Sequence, residues 1–361
     1  MRQYIHPKSP QTFTNGINHP DLCLWDAWSF VGDDDVLHLY SLAVSRTRAD
    51  GSPLPGPERN SVPFHFRHFS SGDLGNSWVD EGCLITPRLG QGLADSRTIW
   101  SGSIEPLPDG KKLLAYTGLH ALDEEHCFAQ NIMLALSDGY AIESRDSEPL
   151  LCPRRDWKAI TDAGYYVAAP EDVGHRGGES GGPITAWRDP FVFIDKDDRI
   201  HLYWSAKVGP RVGALGHGLL RRDGQRFVLD KLFPPTSIPD GDGVTQFELP
   251  KVYYDAGRET YYLISATCTR IDEQQPDHEV DKTIRLHVSS SLDGPWQPWS
   301  PHGSALPGLD GLFGMTVLKA DFDRNSLLCI APYTGAGGDE RGLTFSPCFR
   351  IGLAPVEVVF Q

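Results

Sequence analysis

Five times along the chain an apolar, strand-length run is followed by a short polar turn and a second apolar run. This internal repeat constrains the fold more than any other feature of the sequence. The copies read LCLWDAWSF–GDDD–VLHLYSLAV, TIWSGSIEPL–PDGK–KLLAYTGL, ITAWRDPFVFI–DKDD–RIHLYWSAK, TQFELPKVYY–DAGRE–TYYLISATC and LFGMTVLKA–DFDRN–SLLCIAPYT. Each run is rich in Val, Ile, Leu and aromatics and each linker is a turn former, so each copy predicts a β-hairpin. A second hairpin follows every copy: FHFRHFSSGDLGNSW, NIMLALSDGYAI, GHGLLRRDGQRFVL, IRLHVSSSLDGPWQPW and the C-terminal FRIGLAPVEVVF. Two hairpins make a four-stranded antiparallel sheet. Five such sheets arranged radially make a five-bladed β-propeller, all-β, with the whole chain 1–361 as one domain. Trp25, Trp100, Trp187, Phe247 and Phe313 are taken as equivalent positions of the repeat.

Three segments interrupt the pattern: a Pro-rich one from Arg46 to Val62, a Gly-rich one from Arg154 to Ile184, and an acidic one from Arg270 to Thr283. Loops beside a central pocket carry specificity in such folds, and the Arg154 to Ile184 segment is the candidate lid. A formal charge of −15, with no concentrated basic patch, argues against nucleic acid and anionic membrane as partners. Neutral small molecules such as sugars are the natural ligand class. The seven cysteines are scattered, without metal-ligand spacing, so no disulfide framework, metal or cofactor is expected. The N-terminus lacks an apolar signal-peptide core. The expected location is the cytoplasm, or outside the cell by a signal-independent route.

In a propeller the first strand of each blade lines the central channel, so polar residues near its start converge from distant parts of the chain. Those residues are Asp26, Trp100-Ser101, Arg188-Asp189 and Glu248. Three carboxylates inside strand-like apolar runs are costly to bury unless paired or functional. Glycoside cleavage needs two carboxyls flanking one bond, and a third can stabilise the positive charge that develops at the anomeric carbon. Trp25, Trp28 and Trp100 flank these acids and suit sugar-ring stacking. Asp21 is a second candidate nucleophile.

These residues resemble the levansucrase, inulosucrase and β-fructofuranosidase family, glycoside hydrolase family 68. Leu24-Trp25-Asp26-Ala27-Trp28 is similar to its nucleophile motif, and Trp100-Ser101-Gly102-Ser103 to its second-blade signature. Arg188-Asp189-Pro190 is similar to the stabiliser motif shared with the invertase family 32, and Val244 to Glu248 to the acid/base region. The resemblance implies a retaining enzyme acting on sucrose or a sucrose-like β-fructofuranoside, with transfer to water or an acceptor sugar. It makes Asp26 the nucleophile, Glu248 the acid/base and Asp189 the stabiliser. Arg188, Trp25, Trp100 and Ser101 would hold the fructosyl ring, and Arg270 and Tyr333 would lie near the leaving group or the acid/base. Two positions depart from the family pattern: Gln246 stands where an acidic residue is usual and Leu249 where an Arg is usual. Two further readings stay open, a five-bladed arabinofuranosidase or xylosidase and a non-catalytic sugar-binding propeller.

Overall fold

The repeated hairpins form in the computed structural model of the protein, which describes residues 11–179, 182–241, 243–272, 275–333 and 342–360. Blade one comprises β1 (Thr12–Thr14), β2 (Leu22–Val31), β3 (Leu37–Ser45), β4 (His65–Ser71) and β5 (Ser77–Ile85). Blade two comprises β6 (Thr98–Pro106), β7 (Lys112–His120), β8 (Ala129–Ser137) and β9 (Ile142–Arg145). Blade three is β10 (Arg188–Ile194), β11 (Ile200–Gly209), β12 (Val212–Asp223) and β13 (Arg226–Leu232). Blade four is β14 (Gln246–Asp255), β15 (Thr260–Cys268), β16 (Lys282–Ser289) and β17 (Gln297–Pro298). Blade five is β18 (Thr316–Asp321), β19 (Ser326–Ile330), β20 (Phe349–Leu353) and β21 (Val356–Phe360). Within each blade the strands pair in chain order, antiparallel, and β1 adds to the outer edge of blade one beside β5.

The turn chemistry repeats with the strands. Each inner hairpin reverses through one residue of positive φ: Asp35, Gly110, Asp198, Glu259 and Asn325. Asp, Asn and Gly tolerate this left-handed conformation best, which is why the polar linkers mark the hairpins so clearly in the sequence. Side chains leaving the two faces of each blade meet those of the next blade, so the core is a set of layers between blades. Trp28, Tyr40 and Phe66 of blade one meet Ile104, Leu114 and Met133 of blade two. Trp204 of blade three meets Leu113 and Ile132 of blade two, and Phe247 of blade four meets Tyr203 of blade three. Ile264 and Leu286 of blade four meet Val317 and Phe349 of blade five. The ring closes where Leu318, Leu328 and Ile330 of blade five meet Leu24, Leu39 and Phe69 of blade one.

The structure corrects two expectations. The innermost strand of blade five begins at Thr316, so Phe313 precedes it in a loop, and the register of the inner strands makes Arg188 and Glu248, not Trp187 and Phe247, the counterparts of Trp25 and Trp100. In the described part of the Arg154 to Ile184 segment, the stretch around its helix is packed into the ring instead of forming a lid, while Ile184 lines the central cavity described below. The segment contains helix α1 (Trp157–Asp162), and Ile160, Tyr165 and Val167 are buried in the layer between blades two and three.

Candidate active site

All five innermost strands break register at the same level. The irregularity falls between Trp25 and Ala27 in β2, Trp100 and Gly102 in β6, and Arg188 and Phe191 in β10. It falls between Glu248 and Lys251 in β14 and between Val317 and Lys319 in β18. An extra residue in one strand bends it and re-aims a side chain, and bulges are frequent beside active sites for this reason. Asp26 and Ser101 are themselves the extra residues. In β10 and β14 the bulge is an Asp-Pro and a Leu-Pro pair, whose first members, Asp189 and Leu249, have φ of 57° and 52°. Asp189 is therefore the counterpart of Leu249, and Arg188 the counterpart of Glu248. The equivalence expected among the three acids holds for Asp26 and Asp189, whereas Glu248 stands one residue ahead of its bulge.

Gly102 follows the β6 bulge because nothing larger fits: a Cβ there would lie 2.1 Å from the Ala115 carbonyl oxygen across the hairpin. The left-handed conformation of Leu249 is held in part by its N–H, which donates to Asp189 Oδ2 at 3.1 Å. Asp189 Oδ2 also accepts from Ser205 Oγ at 2.9 Å, and the Asp189 N–H donates to Thr117 Oγ1 at 2.9 Å. Ser101 Oγ donates to Asp26 Oδ2 at 2.5 Å. Arg188 Nη2 donates to Glu248 Oε1 at 2.7 Å and to Gln246 Oε1 at 3.1 Å. The Thr117 hydroxyl donates to the Ser101 carbonyl at 3.1 Å, and blades one to four thus all contribute to the polar network of the site.

This network is the floor of a cavity of ≈350 Å³ at the mouth of the channel. Asp26, Asp189, Glu248, Trp25, Trp100, Ser101, Arg188, Arg270 and Tyr333 all line it. Trp28 does not: it is 1% exposed and packs edge-on against Phe66 at 4.6 Å in the layer between blades one and two. Past the Asp26 bulge Trp28 pairs with Tyr40 and faces that layer, so the role expected for it in substrate stacking is corrected to core packing. Asp21 is exposed and outside the cavity, which leaves Asp26 as the carboxylate of this segment at the site.

Burial, and then the neighbouring Asp189, push the Asp26 carboxyl up to about 7, against the pull of the Ser101 hydroxyl and the Lys251 ammonium. Burial also raises Asp189, with Arg188 opposing the shift and Glu248 adding to it. Asp26 and Asp189 are therefore both biased toward their protonated forms, by burial and by a neighbouring carboxylate.

Sequence reasoning missed several contributors. Lys251 is 3% exposed inside the channel, and burial lowers its ammonium to about 8 while Asp26 and Asp189 hold it charged. Its signal was a lysine in the apolar run Leu249-Pro250-Lys251-Val252-Tyr253. Cys268 Sγ donates to Glu248 Oε2 at 3.9 Å, and burial pushes that thiol up to about 12. Arg59 and Asn60, from a 3-10 turn at Gly56–Ser61, and Lys282, at the start of β16, also line the cavity. Nothing local in the sequence marks these three, because loop packing alone brings them to the mouth.

A five-bladed propeller with three carboxyls converging on a channel-mouth cavity defines the class of molecule. In that architecture the chain is similar to the inulosucrase of Halalkalicoccus jeotgali bound to kestose, at 20% identity and a TM-score of 0.67, covering 99% of this chain and 91% of that one. It is similar to a Bacillus subtilis levansucrase variant in complex with oligosaccharides, at 16% identity and a TM-score of 0.64, covering 99% and 90%. It is also similar to a levansucrase complexed with sucrose, at 18% identity and a TM-score of 0.62, covering 94% and 86%. At these identities the likeness establishes the fold. No family model matches the chain, and no curated protein matches it in sequence.

Proposed function

We propose that the chain is a retaining β-fructofuranosidase or fructosyltransferase that cleaves sucrose or a sucrose-like β-fructofuranoside. The observation that carries this reading is the convergence of Asp26, Asp189 and Glu248, from three blades, on one cavity flanked by Trp25 and Trp100. Asp26 attacks the anomeric carbon, and the glycosidic bond breaks as Glu248 gives its proton to the leaving oxygen. Asp189, anchored by Ser205 and the Leu249 N–H, holds the ring hydroxyls and stabilises the positive charge that develops. Glu248 then removes a proton from water or an acceptor hydroxyl, which resolves the fructosyl–Asp26 ester. The aromatic faces suit the apolar side of a furanose ring. The fold likeness to proteins whose structures hold kestose and sucrose supports the sugar class.

The test is incubation with sucrose, following glucose and fructose release and oligofructoside formation. Asp26→Asn and Glu248→Gln are each expected to lower kcat by about 10³-fold or more while the thermal unfolding profile survives. Near-normal turnover in either variant would remove its assigned role. Product retaining the β-configuration, seen by NMR before mutarotation, is the expected stereochemical result, and inversion would overturn the nucleophile assignment.

A further inference from the structure

Blades one and three carry the same buried constellation. His38-Leu39-Tyr40 near the start of β3 matches His201-Leu202-Tyr203 near the start of β11. His38 Nδ1 lies 3.0 Å from His68 Nε2, and His201 Nδ1 lies 2.9 Å from His217 Nε2. Tyr40 stacks on His68 and Tyr203 on His217, both with centroids 4.5 Å apart and planes at 13°. Each tyrosine hydroxyl donates to a carbonyl in the outer turn of the next blade, Gly139 at 2.6 Å in blade two and Leu292 at 3.4 Å in blade four. The two copies differ in the residue that follows this carbonyl. In the first, the Tyr140 ring sits edge-on against His68 at 5.0 Å and His38 at 5.6 Å. In the second, Asp293 holds that place, 3.7 Å from His217 Nδ1, and a cavity of ≈220 Å³ opens beside it.

This cavity is on the far face of the ring from the candidate active site. Arg199 and His201, which line it, lie past the turn that ends β10, whereas Arg188 begins that strand at the other cavity. The strand between them, Arg188–Ile194, spans about 20 Å. The wall mixes charges of both signs with hydroxyls and apolar surface. Arg199 is fixed at the rim by Asp195, which accepts from Nε at 2.8 Å and lies 2.7 Å from Nη2. The Asp293 carboxylate and the Tyr261 and Ser290 hydroxyls also line the cavity, and none of them hydrogen-bonds to another described residue. A cationic ligand is repelled by Arg199 and an anionic one by Asp293. An apolar ligand would bury these polar groups without partners. A sugar ring meets all of them, because each of its hydroxyls both donates and accepts. Asp293 takes a proton from one hydroxyl, Arg199 donates to another, and the C–H face of the ring suits Leu219, Phe233 and Tyr261. The room is smaller than the ≈350 Å³ of the candidate active site and matches a single ring.

We propose that this cavity is a second, non-catalytic carbohydrate site that takes one ring of a neutral saccharide. Glucose, fructose and sucrose are titrated into the full chain, with Asp26→Asn for sucrose so that it survives the titration. Binding is read from the 13C-methyl NMR signals of Leu219 and Leu292, which line this cavity and not the other. The expected result is a saturable shift with a Kd of about 1–10 mM for at least one sugar. That binding should be about tenfold or more tighter than binding of methylguanidinium or inorganic phosphate, the two charged comparators. Asp293→Ala removes the carboxylate acceptor and should weaken sugar binding about tenfold. Asp293→Tyr rebuilds the arrangement of blade one and should abolish the shifts, with folding of both variants checked by thermal unfolding. Absence of shifts with all three sugars, or a charged comparator bound as tightly, would overturn the proposal. So would sugar shifts that survive both substitutions unchanged. The fructosidase reading is tested separately, by fructose release from sucrose in the unsubstituted chain, so either claim can fail alone.

Discussion

Asp26 is held between opposing influences. Burial and Asp189 favour its protonated form, whereas Ser101 and Lys251 favour the carboxylate that must attack the anomeric carbon. With the carboxyl raised to about 7, the nucleophile is ionised above that pH and protonated below it. The profile of kcat/KM is therefore expected to fall on the acid side with a midpoint near neutrality, read from initial rates between pH 5 and pH 9. The Lys251 ammonium lies in the same channel, with Nζ 3.5 Å from the Leu249 carbonyl oxygen, and its charge lowers the Asp26 carboxyl. Lys251→Met removes that charge at similar length, so the acid limb should move to higher pH by about one unit. A purely structural lysine would change the amount of active protein and leave the midpoint where it was.

At the scale of elements, the outer hairpin of blade one is tied by a buried ion pair that the apolar layers alone would not orient. In blade one, Arg67 of β4 binds Asp80 of β5 through Nε to Oδ1 at 2.7 Å and Nη2 to Oδ2 at 2.6 Å. Gly82 N–H donates to Asp80 Oδ1 at 3.0 Å, and His19 Nε2 lies 3.4 Å from Oδ2. The Asp80 side chain is fully buried and that of Arg67 is 4% exposed, so removing the acid leaves a guanidinium inside without its counter-charge. Asp80→Ala should cost about 3–5 kcal/mol in denaturant unfolding. The kcat of the protein that remains folded should hold, since neither residue lines the cavity. A loss below about 1 kcal/mol would show that the pair is no stronger than a surface ion pair.

For the whole molecule, the critical place is the seam between blades five and one, where the last blade closes on the first. Ile17 and Phe345 exchange backbone hydrogen bonds, and the Leu24 N–H donates to the Leu343 carbonyl at 2.8 Å. Ser29 Oγ reaches the Val317 carbonyl and Thr316 Oγ1 the Ala27 carbonyl. Gly16 permits this approach: its φ is +93°, and a Cβ there would stand 2.4 Å from the Phe345 carbonyl oxygen. Gly16→Ala is expected to lower stability by about 2 kcal/mol or more, through the strained φ and the clash together. Because Asp26 lies on the inner strand beside this seam, kcat should fall as well. Gly72→Ala serves as the comparison, since a Cβ there meets nothing within 4 Å, and it should change neither quantity. Equal behaviour of the two variants would show that the seam does not control the site.

The sequence by itself determined the strands, the hairpins and the five-bladed count. Strand-forming runs and left-handed turn residues are local properties, and Asp, Asn and Gly at four of the five inner reversals announce themselves wherever the chain goes. It also singled out Asp26, Asp189 and Glu248, because a carboxylate within an apolar run stands out before any neighbour is known. Tertiary structure decided which way side chains point and what surrounds them. The bulges shift register by one residue, which makes Leu249 the counterpart of Asp189 and leaves Trp28 in the interblade layer, and no composition pattern encodes that shift. The part of the Arg154 to Ile184 segment around Ile160 and Tyr165 became packing because those side chains found a layer to enter, while Ile184 reached the cavity. Arg59, Arg270 and Lys282 share one cavity with the acids, and Lys251 is buried within electrostatic reach of Asp26 and Asp189, only because the blades and their loops close around one axis. The charge pattern of the site is therefore a property of the ring and not of any segment.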